Sequence, residues 1–446
     1  MRSVFGIRAW SSRFAINTAR RELAANIAAT LKPTRIDLLR LTRWSLTLTA
    51  AALPLYVVRW HAGPLPTTLL ENLVLVTVVL YLITLWRHRG PLPRRTPYDI
   101  PILVFLMAGA IGIFVAPDHR AALGIYRAFL VEPVTIYYVA VAVLRPATDL
   151  KPLLIAAAVS ASLFSLAVIV TFAAVLIGGN LTPSIAPGVF GINPNAVALY
   201  LEPIAAVAAG YVLFADSRKS RWIAFGVLAF VLPALACTLS RGALLAGAIL
   251  AVIAVLSVRD VRLRLGLLGG AIVTGLALSQ VPFVAARLAH QLDPRHSTFG
   301  LRQAIWSVTL RMLRDHPLFG AGLSGYQTVM KHYRTSNLHP EPYAHNIFLT
   351  TWSELGLIGL AAFAVILFGL LWRAFRTYGS AGDLYRPLLW GIFGAWVVFI
   401  VHGLVDSPYW KNDLSLEFWI LAGLEVVAIS TVKADRQKVP AEGRSA

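Results

Sequence analysis

The chain has 446 residues, 57% of them hydrophobic and 14% charged, and its mean hydropathy is +0.69. A soluble domain carries about a quarter charged residues, so the composition excludes an ordinary soluble globule and indicates a polytopic membrane protein. The formal net charge of +19 is no sign of nucleic-acid binding, because Lys and Arg fall in short breaks between apolar runs, where they encode orientation.

In chain order, residues 1–43 carry nine basic residues against Glu22 and Asp37. They lack the short apolar core and cleavage site of a signal peptide, and read as a cytoplasmic amphipathic segment lying on anionic lipid. About 20 apolar residues cross a bilayer as helix. On that scale twelve runs qualify: 44–58, 69–86, 100–116, 124–144, 152–177, 195–214, 222–239, 243–258, 265–282, 347–372, 387–405 and 415–432. Residues 152–201 hold no charged residue; they are too long for one crossing and divide at the Gly/Pro/Asn-rich stretch 178–194. The expected fold is all-α: nine transmembrane helices over 44–282, a periplasmic helical loop over 283–346, three more helices over 347–432 and a cytoplasmic tail, 433–446. With both termini cytoplasmic, the inside segments hold 28 of the 40 Lys and Arg, as the positive-inside rule requires. Twelve spans also suit a carrier, but a carrier gathers its ionisable residues at mid-membrane, and here they gather at one surface. The lone Cys237 excludes an intrachain disulfide.

Within the long loop, Leu301, Ile305, Val308 and Met312 recur at helical spacing, with Ser297 or Thr298 as cap and Pro317 as stop. This predicts an amphipathic helix along the membrane surface whose other face carries Arg302, Trp306 and Thr309. Residues 320–325 spell a dinucleotide-binding fingerprint, but no strand precedes them and the βαβ context is missing. They read instead as flexible re-entry of the loop toward the bilayer.

Ionisable groups at the membrane are functional candidates. His345 opens an apolar helix with Asn346 as cap, and a helix N-terminus favours a neutral ring able to accept a proton; the bland alternative is an interfacial histidine bonded to its loop. His339 is the rival base, while His290, His296, His316 and His332 read as solvated. Arg241 is a solitary outer arginine, against the charge bias of the chain, with snorkelling as its ordinary fate. Arg302 sits beside Trp306 in a loop of seven basic and three acidic residues, which suits anion capture. The planar arginine fork matches phosphate oxygens. No acidic cluster occupies the loops, so no metal site and no cofactor are expected. His402 and Asp406, four apart, are expected to form a supporting pair on one helix face. Arg127 and Glu132 lie within one run but five apart, so separate partners or an altered boundary are expected.

His345-Asn346, nine residues, then Gly356-Leu357-Ile358-Gly359 resembles the His-Asn-x9-Gly-x-x-Gly pattern of bacterial O-antigen ligases and related O-antigen polymerases. The resemblance extends through Ser240-Arg241-Gly242, Arg302 to Trp306, residues 315–322 and His402 to Asp406, about the second half of the chain, with a weaker echo at 191–195. Leu360 stands where some ligases have a small polar residue. The resemblance implies a metal-independent, inverting glycosyltransferase of the bacterial inner membrane, acting on the periplasmic face. Its donor would be a glycan on undecaprenyl diphosphate and its acceptor lipid A-core, or a second lipid-linked glycan in a polymerase. His345 would be the base and Arg241 and Arg302 the diphosphate ligands; Trp306, Asn346, His339, His402 and Asp406 would contact or support substrate.

Overall fold

A computed structural model of the protein describes residues 37–438 except 64, 89, 146–147, 181–185, 281–297, 335–337 and 340. The expected N-terminal amphipathic segment up to residue 36, the start of the long loop and the tail beyond 438 therefore lie outside the described residues. Each of the twelve apolar runs contains helix among the described residues, although the first breaks after Ala51 into a 3-10 turn, Leu53–Val57. In order the helices are α1 (Leu38–Ala51), α2 (Leu69–His88), α3 (Asp99–Val115), α4 (His119–Val143), α5 (Leu150–Ile177), α6 (Pro194–Phe214), α7 (Arg218–Cys237), α8 (Arg241–Ser257) and α9 (Val261–Ser279). They continue with α10 (Thr298–Asp315), α11 (Tyr326–Met330), α12 (Ile347–Tyr378), α13 (Arg386–Gly403) and α14 (Asn412–Lys438). Eight of them, α2, α4 to α7 and α12 to α14, are long and apolar enough to cross a membrane; α3 and α8 are apolar but reach only 17 residues.

Caps written in the sequence set several helix starts. Side chains of Asp37, Asn193, Ser217 and Ser240 accept backbone N–H groups at the heads of α1, α6, α7 and α8, satisfying donors that a helix leaves open. Pro194 at the first position of α6 loses nothing by lacking an N–H. The turn between α1 and α2 holds one element absent from the sequence reading, a hairpin of β1 (Arg59–Ala62) and β2 (Leu65–Thr68) with Arg59 opposite Thr68.

The bundle centre is α13, packed on α6 and α12, with α14 against α4 and α12 against α3. Gly210 and Gly391 let α6 and α13 touch backbone to backbone: a Cβ on Gly391 would stand 2.6 Å from Cα of Val207. Small residues at such crossings are how apolar helices pack in lipid. Phe105 of α3, Phe363 of α12, Tyr409, and Phe418 and Trp419 of α14 interlock edge to face.

Three local expectations are corrected. Arg127 and Glu132 do pair, Nη1 to Oε1 at 3.4 Å, because residues Tyr126–Val131 form a π turn; its i→i+5 repeat aligns side chains five apart. The glycine stretch is packed rather than flexible. Ala321 N donates to Ser353 O at 2.7 Å, Leu323 N to Gly112 O at 3.1 Å and Ser324 N to the buried Glu354 carboxylate at 2.6 Å. Gly320 and Gly322 have positive φ and abut the backbones of α12 and α3, so the glycines serve close approach. Finally, α10 spends most of its apolar face on protein. Ile305, Val308 and Met312 are buried in a satellite core with Tyr326, Met330 and Ala344, and of the expected stripe Leu301 remains exposed.

Candidate functional site

The starts of α6, α8 and α12, the turn after α13 and the first half of α10 meet at one end of the bundle. Asn346 organises the junction. Its Oδ1 accepts from Phe348 N and Leu349 N at 3.0 and 3.1 Å, capping α12, and its Nδ2 donates to Leu404 O at 2.9 Å. Both acceptor positions of Oδ1 and one of the two N–H groups of Nδ2 are thereby used on the chain. His345, one residue earlier, has φ 49, a left-handed conformation that costs energy in any residue but glycine. This turn takes the imidazole off the helix axis and aims it at the turn following α13.

There it meets Asp406, Nδ1 to Oδ1 at 3.3 Å, while Nε2 faces Glu341 Oε2 at 3.5 Å. Asp406 is buried and also accepts from Asn195 Nδ2 at 3.1 Å and Ser407 N at 2.9 Å. Its fourth neighbour is Arg302, Nη2 to Oδ2 at 3.7 Å. The guanidinium is mostly buried, and burial pulls its pKa down against the opposing charge of Asp406. Its Nη1 is buried with no hydrogen-bond partner among the described residues, a costly condition for a charged donor. The Tyr343 ring lies 4.4 Å from that of His345, its phenol pushed up by burial. Trp306 donates Nε1–H to Ala344 O at 3.1 Å, bracing the backbone just before the histidine.

The expected His402–Asp406 side-chain pair is replaced by two others. Helix α13 ends at Gly403, so the Asp406 carboxylate turns toward α10 and α12, whereas His402 points inward to Glu202, Nδ1 to Oε1 at 2.7 Å. Arg241 is the first residue of α8, and its neighbour Gly242 lies against the His402 ring. His339 is exposed, and among the described residues no hydrogen bond or ion pair joins it to this network. His316 and His332 are exposed; His290 and His296 lie outside the described residues. The sequence reading passed over Glu202, although it is the sole charged residue of α6, and gave no role to Glu341 or Tyr343.

Chemically, a carboxylate accepting the Nδ1–H of an imidazole fixes the tautomer, leaves Nε2 to take a proton and stabilises the resulting cation. A hydroxyl entering between Nε2 and the part-exposed Glu341 would be in reach. The unpaired guanidinium N–H beside it suits an anionic oxygen. Residues 204–364 match the family described as O-Antigen ligase. Over that stretch the chain is similar to O-antigen ligases. Members are glycosyltransferase-like enzymes, ligases or polymerases, and the family implies lipid-linked glycan substrates. The matched stretch contains Arg241, Arg302, His345 and Asn346 and ends before His402 and Asp406. No curated protein matches the chain significantly.

Proposed function

We propose that this protein is an O-antigen ligase that transfers a glycan from undecaprenyl diphosphate to a hydroxyl of lipid A-core, without a metal ion, at the periplasmic face of the bacterial inner membrane. The positive-inside count supports cytoplasmic termini, which puts the His345 end of the bundle outside. A reaction there has no ATP to draw on, which agrees with an already activated, lipid-borne donor.

In this reading His345 Nε2 removes the acceptor proton as the hydroxyl oxygen attacks the anomeric carbon. The carbon–oxygen bond to the diphosphate breaks, and its electron pair leaves with the lipid diphosphate. Asp406 stabilises the imidazolium, and the proton passes to water. Arg302 and Arg241 hold the diphosphate as negative charge grows on the departing oxygen, electrostatic help that a preorganised donor gives most strongly in a dry site. Trp306 and Asn346 keep the histidine turn in place, and His339 lies on the exposed rim where glycan would pass. The observation that carries the reading is the meeting of His345 and Arg302 on one buried carboxylate, with an arginine N–H left over.

The test uses purified protein, lipid-linked donor and lipid A-core. Transfer should continue in a divalent-cation chelator, and His345→Ala should lower it about 10²–10⁴-fold. Inhibition by chelator that added Mg²⁺ reverses would refute the metal-free mechanism; loss of activity in His339→Ala alone would move the base. Leu360 keeps one second reading open, a polymerase whose acceptor is another lipid-linked glycan. A ligase-deletion strain accumulates lipid-linked polymer and makes bare lipid A-core, whereas a polymerase-deletion strain attaches single repeat units.

A further inference from the structure

Glu202 and His402 form a buried pair that the chemistry above does not use. Their side chains are 4% and 1% exposed, with Nδ1 and Oε1 2.7 Å apart. An acid alone on an apolar helix is costly unless partnered, and removing one partner strands the other.

What the pair touches suggests its use. The Cδ2–Nε2 edge of His402 lies so close to Gly242 that a Cβ there would collide with both atoms. Any other residue would push the start of α8 away from the ring. Arg241 precedes that glycine, and Ser240 caps the helix through Ala243 N at 3.4 Å. The His402 carbonyl accepts from Val405 N and Asp406 N, both at 3.0 Å, so the same residue anchors the turn that carries Asp406. His402 therefore abuts the helix start bearing one proposed diphosphate ligand and the turn bearing the carboxylate shared by His345 and Arg302.

We propose that the Glu202–His402 pair is the positioning unit for Arg241. Glu202 fixes the plane of the imidazole, the imidazole seats Gly242, and the seat sets the direction in which α8 presents its first side chain. Glu202 touches no substrate and acts only through the ring. The inference rests on the reading of Arg241 as a diphosphate ligand.

Full-length protein in lipid nanodiscs provides the test, with turnover of lipid-linked donor and binding of farnesyl diphosphate as readouts, each normalised to folded protein. Glu202→Leu should lower kcat at least tenfold and weaken farnesyl diphosphate binding while leaving the acceptor KM unchanged. Glu202→Gln, whose amide oxygen still accepts from Nδ1–H, should recover most of both. Gly242→Ala should resemble Glu202→Leu, and combining them should add little, since both act on one seat. Should Glu202→Leu fail to fold, Gly242→Ala decides: a tenfold loss in folded protein supports the seat, and wild-type turnover overturns it. Wild-type behaviour of Glu202→Leu beside an Arg241→Ala that loses diphosphate binding and turnover overturns the inference and leaves the function standing. An Arg241→Ala that keeps both overturns the underlying reading itself.

Discussion

Two charged clusters sit toward the same end of the bundle, joined by the short turn 404–411, and they differ in what they leave over. In the first, Arg127 bridges Glu71 and Glu132 at 3.1 and 3.4 Å, Asn412 donates to Glu71 at 2.8 Å, and Lys411 lies 4.3 Å over the Tyr56 ring and bonds its hydroxyl. Its buried atoms without a partner among the described residues are carboxylate oxygens, Glu132 Oε2 and Asp413 Oδ1. In the second, around His345, Arg302 and Asp406, the buried atom without a partner among the described residues is a guanidinium nitrogen. A surplus of acceptors repels an anion; a surplus cationic donor recruits one. The first cluster accordingly ties helices together, and in the proposed mechanism the second receives the diphosphate.

Substitutions that separate folding from turnover test this contrast. Arg302→Ala and Arg241→Ala should each reduce transfer by about 10²–10³-fold, the range for removing a donor that meets developing charge, with the unfolding midpoint in detergent little changed. Retained turnover in both would break the contrast at its functional side. Gly356→Ala should do the reverse. At φ 69, ψ −177 the residue occupies a region open essentially to glycine, and a Cβ would overlap the Leu318 carbonyl. Strain and overlap together cost roughly 3 kcal/mol or more, so little folded protein should survive mild heating. Arg127→Ala belongs between these extremes. It strands the buried Glu71, but the guanidinium is 45% exposed, so water screens the pair and the loss is about 1–2 kcal/mol. Turnover per folded molecule should stay within about threefold of wild type.

The helices were legible because apolar runs bounded by basic breaks and caps such as Ser240 and Asn346 act locally. The residues of the site were legible as candidates for a related reason: charge is rare in this chain, so His345, Arg241 and Arg302 stand out against their surroundings. Their partners were not. Asp406 lies 61 residues from His345 and Asn195 lies 211 from Asp406, distances that only tertiary packing closes. The π turn at Tyr126–Val131 leaves no sign in residue type, which hid the Arg127–Glu132 pair. Gly320 to Gly325 misled because a loop needing freedom and a backbone needing close contact both select glycine. The Arg59–Thr68 hairpin, with strands of four residues each, is too short for alternation to register. Glu202 was visible as an isolated acid, but nothing in sequence linked it to His402, 200 positions on.

Trp306→Phe gives the smallest expected effect and the finest reading of the second cluster. Phenylalanine keeps an aromatic ring beside Phe299, whose ring centroid lies 6.0 Å from that of Trp306, and removes the N–H that holds Ala344 O at 3.1 Å together with part of the indole's packing. Losing one such bond costs about 1 kcal/mol, a small change in global stability. The bond nevertheless braces the residue before His345, which is held at φ 49 and would relax if released. Turnover should therefore fall more than the unfolding midpoint suggests, by about tenfold if the full 1.4 kcal/mol that corresponds to that factor appears at the transition state. Equal, small losses in both measurements would mean that the histidine turn is held by Asn346 and Asp406 alone.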